Sequence, residues 1–441
     1  MDTTLRPEWL LVEGALRTGW EVRVEAGRIA SIGPAKGPVD LPDRLLMAGF
    51  VNAHSHAFQR GIRGHVQWSD GDDDVWSWRE RMYGLANALD PDGVEAVSAL
   101  AFLEMAMAGV SCVGEFHYLH HQPDGVPYAD PDELAFRVIA AARRVGIRIA
   151  LLRVAYARPG FGQEPNPLQR RFYDADPEAV LAAASRLAAH PDPAVTAGIA
   201  PHSVRAVPRD WLAVLSSWEG PVHAHVDEQP AEVEQCLEEH GLSPLELLGE
   251  TGLVHERFCA VHFTWPTDAE ISLLREAGGR VCACPTTEMD LGDGFLPIEK
   301  LEGIEVCVGS DSQVRIDPLG EVRALEWHAR ARLGRRNVLS PPGERDGLAL
   351  RLLDAGTRVG ARALGVEAGE VTPGHWADLV GVEVSRFALD EAGLLASLVF
   401  SADARCVREV WVGGKRIVTN GHHEDAATIR ANARAVLDSL L

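Results

Sequence analysis

Residues 48–56 read AGFVNAHSH, a short apolar run that ends in two histidines one residue apart. Side chains alternate along an extended strand, so His54 and His56 leave the same face. Seven further apolar runs follow: SCVGEFH (111–117), IRIALLRV (147–154), AVTAGIA (194–200), PVHAHV (221–226), FCAVHF (258–263), RVCAC (280–284) and IEVCVG (304–309). Amphipathic stretches separate most of them and carry helix punctuation: Asp90-Pro91 opens one helix, Gly109 closes it, and Gly146 closes the next. Eight such βα units across residues 48–365 predict an α/β chain folded as a closed (β/α)8, TIM-like barrel, with ligand-facing residues at the C-terminal ends of the strands.

Outside this stretch the period changes. Residues 20–32, WEVRVEAGRIASI, alternate about Glu25-Ala26-Gly27, and residues 408–418, REVWVGGKRIV, do the same about Gly413-Gly414. Each predicts a hairpin. Together they predict a small β-sandwich domain built from both chain ends, residues 1–47 with 366–441, in which the hairpins pair. A long loop follows the first barrel run, roughly 61–90. Its acids Asp70, Asp72, Asp73 and Asp74 read as a solvated rim able to lend single residues as a lid.

Composition limits the partners. Of 441 residues, 46% are apolar and 24% charged, an ordinary globular balance, and the formal charge is −22. Such a chain repels polyphosphate and anionic membranes, so neither nucleic acid nor membrane is expected as a partner. Seven scattered cysteines, an odd number, fit a reducing cytoplasm rather than a disulfide framework. MDTTLRPEWL lacks a basic stretch followed by an apolar core, so a secretory leader is not expected.

The residues with chemistry fall where the barrel rule puts them. His54 and His56 end the first run, His225 the fifth and His262 the sixth, and Asp311 follows the eighth in GSDS. A single histidine at such a place is ordinarily a hydrogen-bonded core residue. Several strand ends agreeing point to a metal centre of the catalytic kind, histidines and a carboxylate with one position open, suited to zinc or iron. Glu228, three residues past His225, stands where a carboxyl can carry protons between a water and a leaving nitrogen. Two-metal barrels of this kind bridge their ions with a carboxylated lysine on a middle strand. The only lysines here are Lys36, Lys300 and Lys415, so one ion is expected. Cys282 and Cys284 alternate with apolar residues and read as core thiols.

The chain resembles the amidohydrolase superfamily in its mononuclear aminohydrolase branch. More narrowly, NAHSHAFQR (52–60), WSWRERMY (76–83), GEFHYLHH (114–121), PHSVRAV (201–207), PVHAHVDEQ (221–229), TTEMDLGDG (286–294) and GSDS (309–312) are similar to the formimidoylglutamate deiminase family. The resemblance implies hydrolysis of N-formimidoyl-L-glutamate to N-formyl-L-glutamate and ammonia, in histidine degradation. It implies one zinc, with ferrous iron as the alternative, on His54, His56, His225 and Asp311. Glu228 would be the acid/base residue and His262 would orient the water, with Asp311 sharing the proton transfer. Substrate contacts would come from Gln59, Arg79, Tyr118, His202 and Arg205. A dicarboxylate substrate in so acidic a protein needs local guanidinium groups, which Arg79 and Arg205 supply. Two positions depart from the family pattern: Gln313 where a histidine is expected, and HFTW, with Trp265, after the sixth run.

The rivals are an aminohydrolase of the same branch acting on a purine, pyrimidine or triazine, a related enzyme releasing formamide, and a barrel without chemistry. A homodimer is compatible with the sequence but is not read from it.

Overall fold

The computed structural model describes residues 2–68 and 75–440; the acidic stretch from Asp70 to Asp74 lies outside the described residues. Eight parallel strands form one sheet in sequential order: β1 (Phe50–Ser55), β2 (Val110–His117), β3 (Arg148–Ala155), β4 (Val195–Pro201), β5 (Val222–Val226), β6 (Phe258–His262), β7 (Arg280–Ala283) and β8 (Glu305–Val308). Each falls on one of the eight apolar runs. Burial on both faces, unbroken along β1, β2, β3, β5 and β6, explains why these runs are continuously apolar.

The punctuation works as its chemistry requires. Asp90 caps the helix Pro91–Met107 by accepting the Gly93 N–H at 2.7 Å, and Gly146 ends the helix Glu133–Val145 in the left-handed region at φ 87°. The barrel closes where β8 returns to β1: Ser55 bridges Asp311, the Asp311 N–H donates to the His54 carbonyl at 3.0 Å, and the His56 N–H donates to the Asp311 carbonyl at 3.0 Å. Gly309 makes this approach possible, since a Cβ there would lie 2.7 Å from both the Cβ and the carbonyl oxygen of His54.

Both chain ends contribute to two smaller sheets. A six-stranded sheet runs in the order Lys415–Val418, Val407–Val412, Leu379–Glu383, Leu41–Ala48, Pro7–Val12, Ala15–Arg17, which interleaves strands from the two ends. A three-stranded sheet holds Thr3–Leu5, Trp20–Glu25 and Arg28–Pro34. The two hairpins expected to pair are therefore in different sheets. They face each other across a core that includes Val22, Val24, Leu379 and Trp411, because each hairpin's edge is taken by a strand of its own sheet. Their turns meet through Ala377, whose N–H donates to the Gly27 carbonyl and whose carbonyl accepts from the Gly414 N–H. A buried pair, Arg148 of β3 with Asp378, ties this part to the barrel at 2.9 Å. The last helix, Ala426–Leu440, packs on the barrel helix Pro91–Met107. Among the described residues no helix is long and apolar enough to cross a membrane.

Candidate active site

Strand ends bring His54, His56, His225, His262, Glu228 and Asp311 together at one mouth of the barrel. His54 Nε2 lies 3.2 Å from His56 Nε2, 3.2 Å from His225 Nε2 and 3.3 Å from Asp311 Oδ1, while His56 Nε2 lies 3.1 Å from Asp311 Oδ1. The His56 Nδ1 sits 3.0 Å from the Phe116 carbonyl, which fixes the proton on Nδ1 and leaves the Nε2 lone pair facing its neighbours. Burial pushes His54 down to about 3 and His225 well below the usual histidine range, so both rings are neutral, with lone pairs a cation could use. Burial alone would raise Asp311, but His54 and His56 beside it hold its carboxyl well below the usual range. Convergent lone pairs with one carboxylate fit a divalent ion of borderline softness. Among the described residues, side-chain atoms of His54, His225, His262 and Asp311 that could bind a cation fall within 4.8 Å of one another.

His262 differs from the other histidines. Burial would lower it, yet Glu288 at Nδ1, 3.5 Å away, and Glu228 and Asp311, each 3.9 Å from Nε2, carry it up to about 10. Spacings near 3.9 Å suit a water between the groups rather than direct bonds. The backbone is held in the left-handed region at His262 (φ 70°), Asp311 (φ 45°) and Asp227 (φ 53°). Non-glycine residues adopt this region at a cost of about 1–3 kcal/mol each, and such strain gathers at functional sites. Here it turns the chain sharply at the strand ends, so that the side chains reach the mouth.

A cavity open to solvent lies over this cluster. His56, His225, Glu228, His262 and Asp311 line its base, and Gln59, Arg79, Tyr118, His202 and Arg205 line it as well. His54 lies beneath, fully buried. Gln59 Nε2 donates to the Tyr118 hydroxyl at 2.7 Å, while its Oε1, also buried, has no partner among the described residues. Arg79 Nε donates to the Tyr83 hydroxyl at 3.0 Å. Arg205 Nη2 donates to Glu228 Oε2 at 2.8 Å and its Nε to Glu232 Oε1 at 3.2 Å. Burial, then Arg205 and Arg79, keeps His202 well below the usual range, so it enters the cavity neutral.

Sequence reasoning missed Trp78, Met82, Gln229 and Leu291, which also line the cavity. Trp78 and Met82 flank Arg79 on the helix Val75–Ala88 at one and three residues' distance, so helical spacing could have found Met82. It missed as well the buried acids behind the cavity, Glu232 and Glu288. Gln313 does not reach the cavity: it is buried and donates to Ser55 Oγ (2.9 Å) and the Asp311 carbonyl (2.8 Å), bracing the seam. The Trp265 indole is half exposed and donates to the Asp293 carbonyl at 2.6 Å, outside the cavity lining. Cys282 packs with Ala53, Cys259, Val261 and Cys307 as a core thiol. Cys284 does too, and its backbone N–H donates to Glu288 Oε1 at 2.7 Å.

The model of the amidohydrolase family matches residues 45–417, from the strand before the barrel to the last strand. The chain belongs to the amidohydrolase family. This amidohydrolase is 37% identical to the formimidoylglutamate deiminase of Pseudomonas aeruginosa, over 94% of this chain and 94% of that one. It is 29% identical to the 5-methylthioadenosine/S-adenosylhomocysteine deaminase of Natronomonas pharaonis, over 89% of this chain and 86% of the relative. Among solved structures, an amidohydrolase from Brucella melitensis superposes with a TM-score of 0.92 at 34% identity, covering 99% of both chains. A zinc-bound adenosine deaminase from Xanthomonas campestris superposes with a TM-score of 0.84 at 26% identity, covering 99% of this amidohydrolase and 98% of that chain.

Proposed function

We propose that the protein hydrolyses N-formimidoyl-L-glutamate to N-formyl-L-glutamate and ammonia, a step of histidine degradation, and does so with one zinc ion or, alternatively, ferrous iron. The observation that carries this reading is that two guanidinium groups, Arg79 and Arg205, line the same cavity as His56, His225 and Asp311. A substrate with two carboxylates and an amidine matches that pairing, because guanidinium forks recognise carboxylates and a neutral nucleobase has no use for them. The 37% identity to a formimidoylglutamate deiminase supports the same substrate class.

His54, His56, His225 and Asp311 would hold the ion, which when bound supplies Lewis acidity and makes a water acidic enough to react near neutral pH. Arg79 and Arg205 hold the glutamate carboxylates, so that the amidine carbon comes to rest over the base of the cavity. Gln59 Oε1, buried without a partner among the described residues, is an acceptor for an amidine N–H. Glu228 Oε1 and His262 Nε2, 3.9 Å apart, bracket the attacking water, and Asp311 Oδ2 lies the same distance from that ring nitrogen. Glu228 takes a proton from the water as its oxygen bonds to the amidine carbon. It delivers that proton to the terminal nitrogen, and the hydroxyl proton of the tetrahedral centre then passes through Glu228 or Asp311 to the same nitrogen, which leaves as ammonia while the carbon–oxygen double bond forms.

The test is an assay of purified protein with N-formimidoyl-L-glutamate, read for ammonia and for N-formylglutamate by mass spectrometry. 5'-Methylthioadenosine, guanine and cytosine run as competitors. Stoichiometric ammonia and formyl product from the dicarboxylate alone is the expected result. Formamide with free glutamate, or turnover of a nucleobase instead, overturns the reading.

A further inference from the structure

Arg205 presents its carboxylate-matching edge, Nε with Nη2, to two different acids. Glu228 Oε2 takes Nη2 at 2.8 Å and Glu232 Oε1 takes Nε at 3.2 Å. A carboxylate beside a free arginine edge ordinarily closes on both nitrogens at once. Glu228 does not, because Glu232 already holds one of them. Its second oxygen, Oε1, is left facing His262 Nε2 at 3.9 Å, and Glu228 lines the cavity.

Glu232 is placed for this by its helix. Its side chain is fully buried in the first turn of Pro230–His240, where an acid ordinarily caps the helix by taking a backbone N–H. Its Oε2 does take one, but from Glu228 itself, at 3.1 Å. Glu232 therefore grips the backbone of the acid/base candidate with one oxygen and the guanidinium of the anchoring candidate with the other. The Glu228 carbonyl is held from the other side by the Thr264 hydroxyl at 2.9 Å.

We propose that Glu232 is a positioning residue: by occupying Arg205 Nε it keeps Glu228 one-handed on Arg205, so that Glu228 Oε1 stays available for proton transfer. Among the described residues Arg205 Nη1 has no partner, so the same arrangement leaves an N–H pair for a substrate carboxylate. The inference rests on the acid/base and anchoring roles proposed above for Glu228 and Arg205.

Replacing Glu232 with Met frees Nε and lets Glu228 close on Arg205 with both oxygens. The expected kinetic signature is a fall in kcat of about tenfold or more, part of the roughly 10²–10⁴-fold that a general acid/base contributes, with KM unchanged or lower, since Arg205 then answers to one acid instead of two. Glu232→Asp should recover part of the lost kcat. In an Arg205→Met background the Glu232→Met loss should shrink, because Glu228 has no guanidinium to close on and only the grip on its backbone N–H is lost, whereas a folding defect would persist there in full. A raised KM, a kcat within twofold of the parent, or an undiminished loss in the Arg205→Met background overturns the proposal. A crystal structure of the Glu232→Met protein tests the same point without a substrate. Glu228 on both Nε and Nη2 is expected, and Glu228 still on Nη2 alone refutes it even if the parent enzyme proves to act on another amidine. Failure of the parent to release ammonia from N-formimidoylglutamate would instead count against the proposed substrate.

Discussion

The Asp311 N–H donates to the His54 carbonyl at 3.0 Å, while the side chains of the same two residues approach to 3.3 Å at Oδ1 and Nε2. The hydrogen bond that shuts the barrel thus also sets the distance between two groups proposed to share an ion. Barrel closure and the proposed metal cradle are therefore expected to stand or fall together, so that seam residues with no chemistry of their own would matter to the site.

Gly309→Ala tests the coupling. The added methyl would sit 2.7 Å from His54 Cβ and 2.7 Å from its carbonyl oxygen, too close without movement of backbone. Overpacking of this kind costs about 1–3 kcal/mol. The expected outcome is a lower melting temperature together with loss of metal on dialysis. A variant that melts lower yet retains its full metal content would show that seam and cradle are separable.

Metal removal should be reversible and should soften the fold. An ion that binds only the folded chain stabilises it by about 4 kcal/mol at a thousandfold excess over its Kd. Chelation is expected to abolish ammonia release and lower the melting temperature, and zinc to restore both. Metal analysis of the active protein should give about one equivalent per chain, and two would contradict the reading drawn from the absence of lysine between Lys36 and Lys300.

The sequence made the barrel legible because parallel strands buried on both faces must be continuously apolar, and because histidine or aspartate at the ends of such runs breaks their pattern visibly. His54, His56, His225, His262 and Asp311 all announced themselves in that way. The pairing of the terminal hairpins did not, since alternation shows that a strand has two faces but not which sheet it joins. Glu232 and Glu288 were also hidden: an acid in the first turn of a helix looks the same whether it caps that turn or reaches a neighbouring loop. Gln313 drew attention as a departure from the family pattern, but its side chain turns into the seam, away from the cavity.

Arg79→Met separates a dicarboxylate site from a nucleobase site. Charge-assisted hydrogen bonds are worth about 1.5–3 kcal/mol, so kcat/KM for N-formimidoylglutamate should fall about ten- to 150-fold, mainly through KM. Arg79 Nε also donates to the Tyr83 hydroxyl, so the melting temperature is checked alongside. An unchanged KM with an unchanged melting temperature would remove Arg79 from substrate binding.

Glu321 should contribute stability that declines as pH rises from acid to slightly alkaline. Its carboxyl is buried and accepts the Thr286 N–H at 3.0 Å and the Thr286 hydroxyl. Burial pushes it up to about 8 from an ordinary 4.5. The folded protein therefore keeps this proton across a range in which the unfolded chain has released it, and stability falls with pH wherever the unfolded state binds fewer protons. The contribution is whole below the ordinary carboxylate pKa and is gone once pH has risen through the folded value. Glu321→Gln mimics the protonated acid without titrating, so the melting temperature of the variant relative to the parent should be higher at pH 8 than at pH 5. The same difference at both pH values would mean that Glu321 is ionised in the folded protein throughout, with the Thr286 donors outweighing its burial.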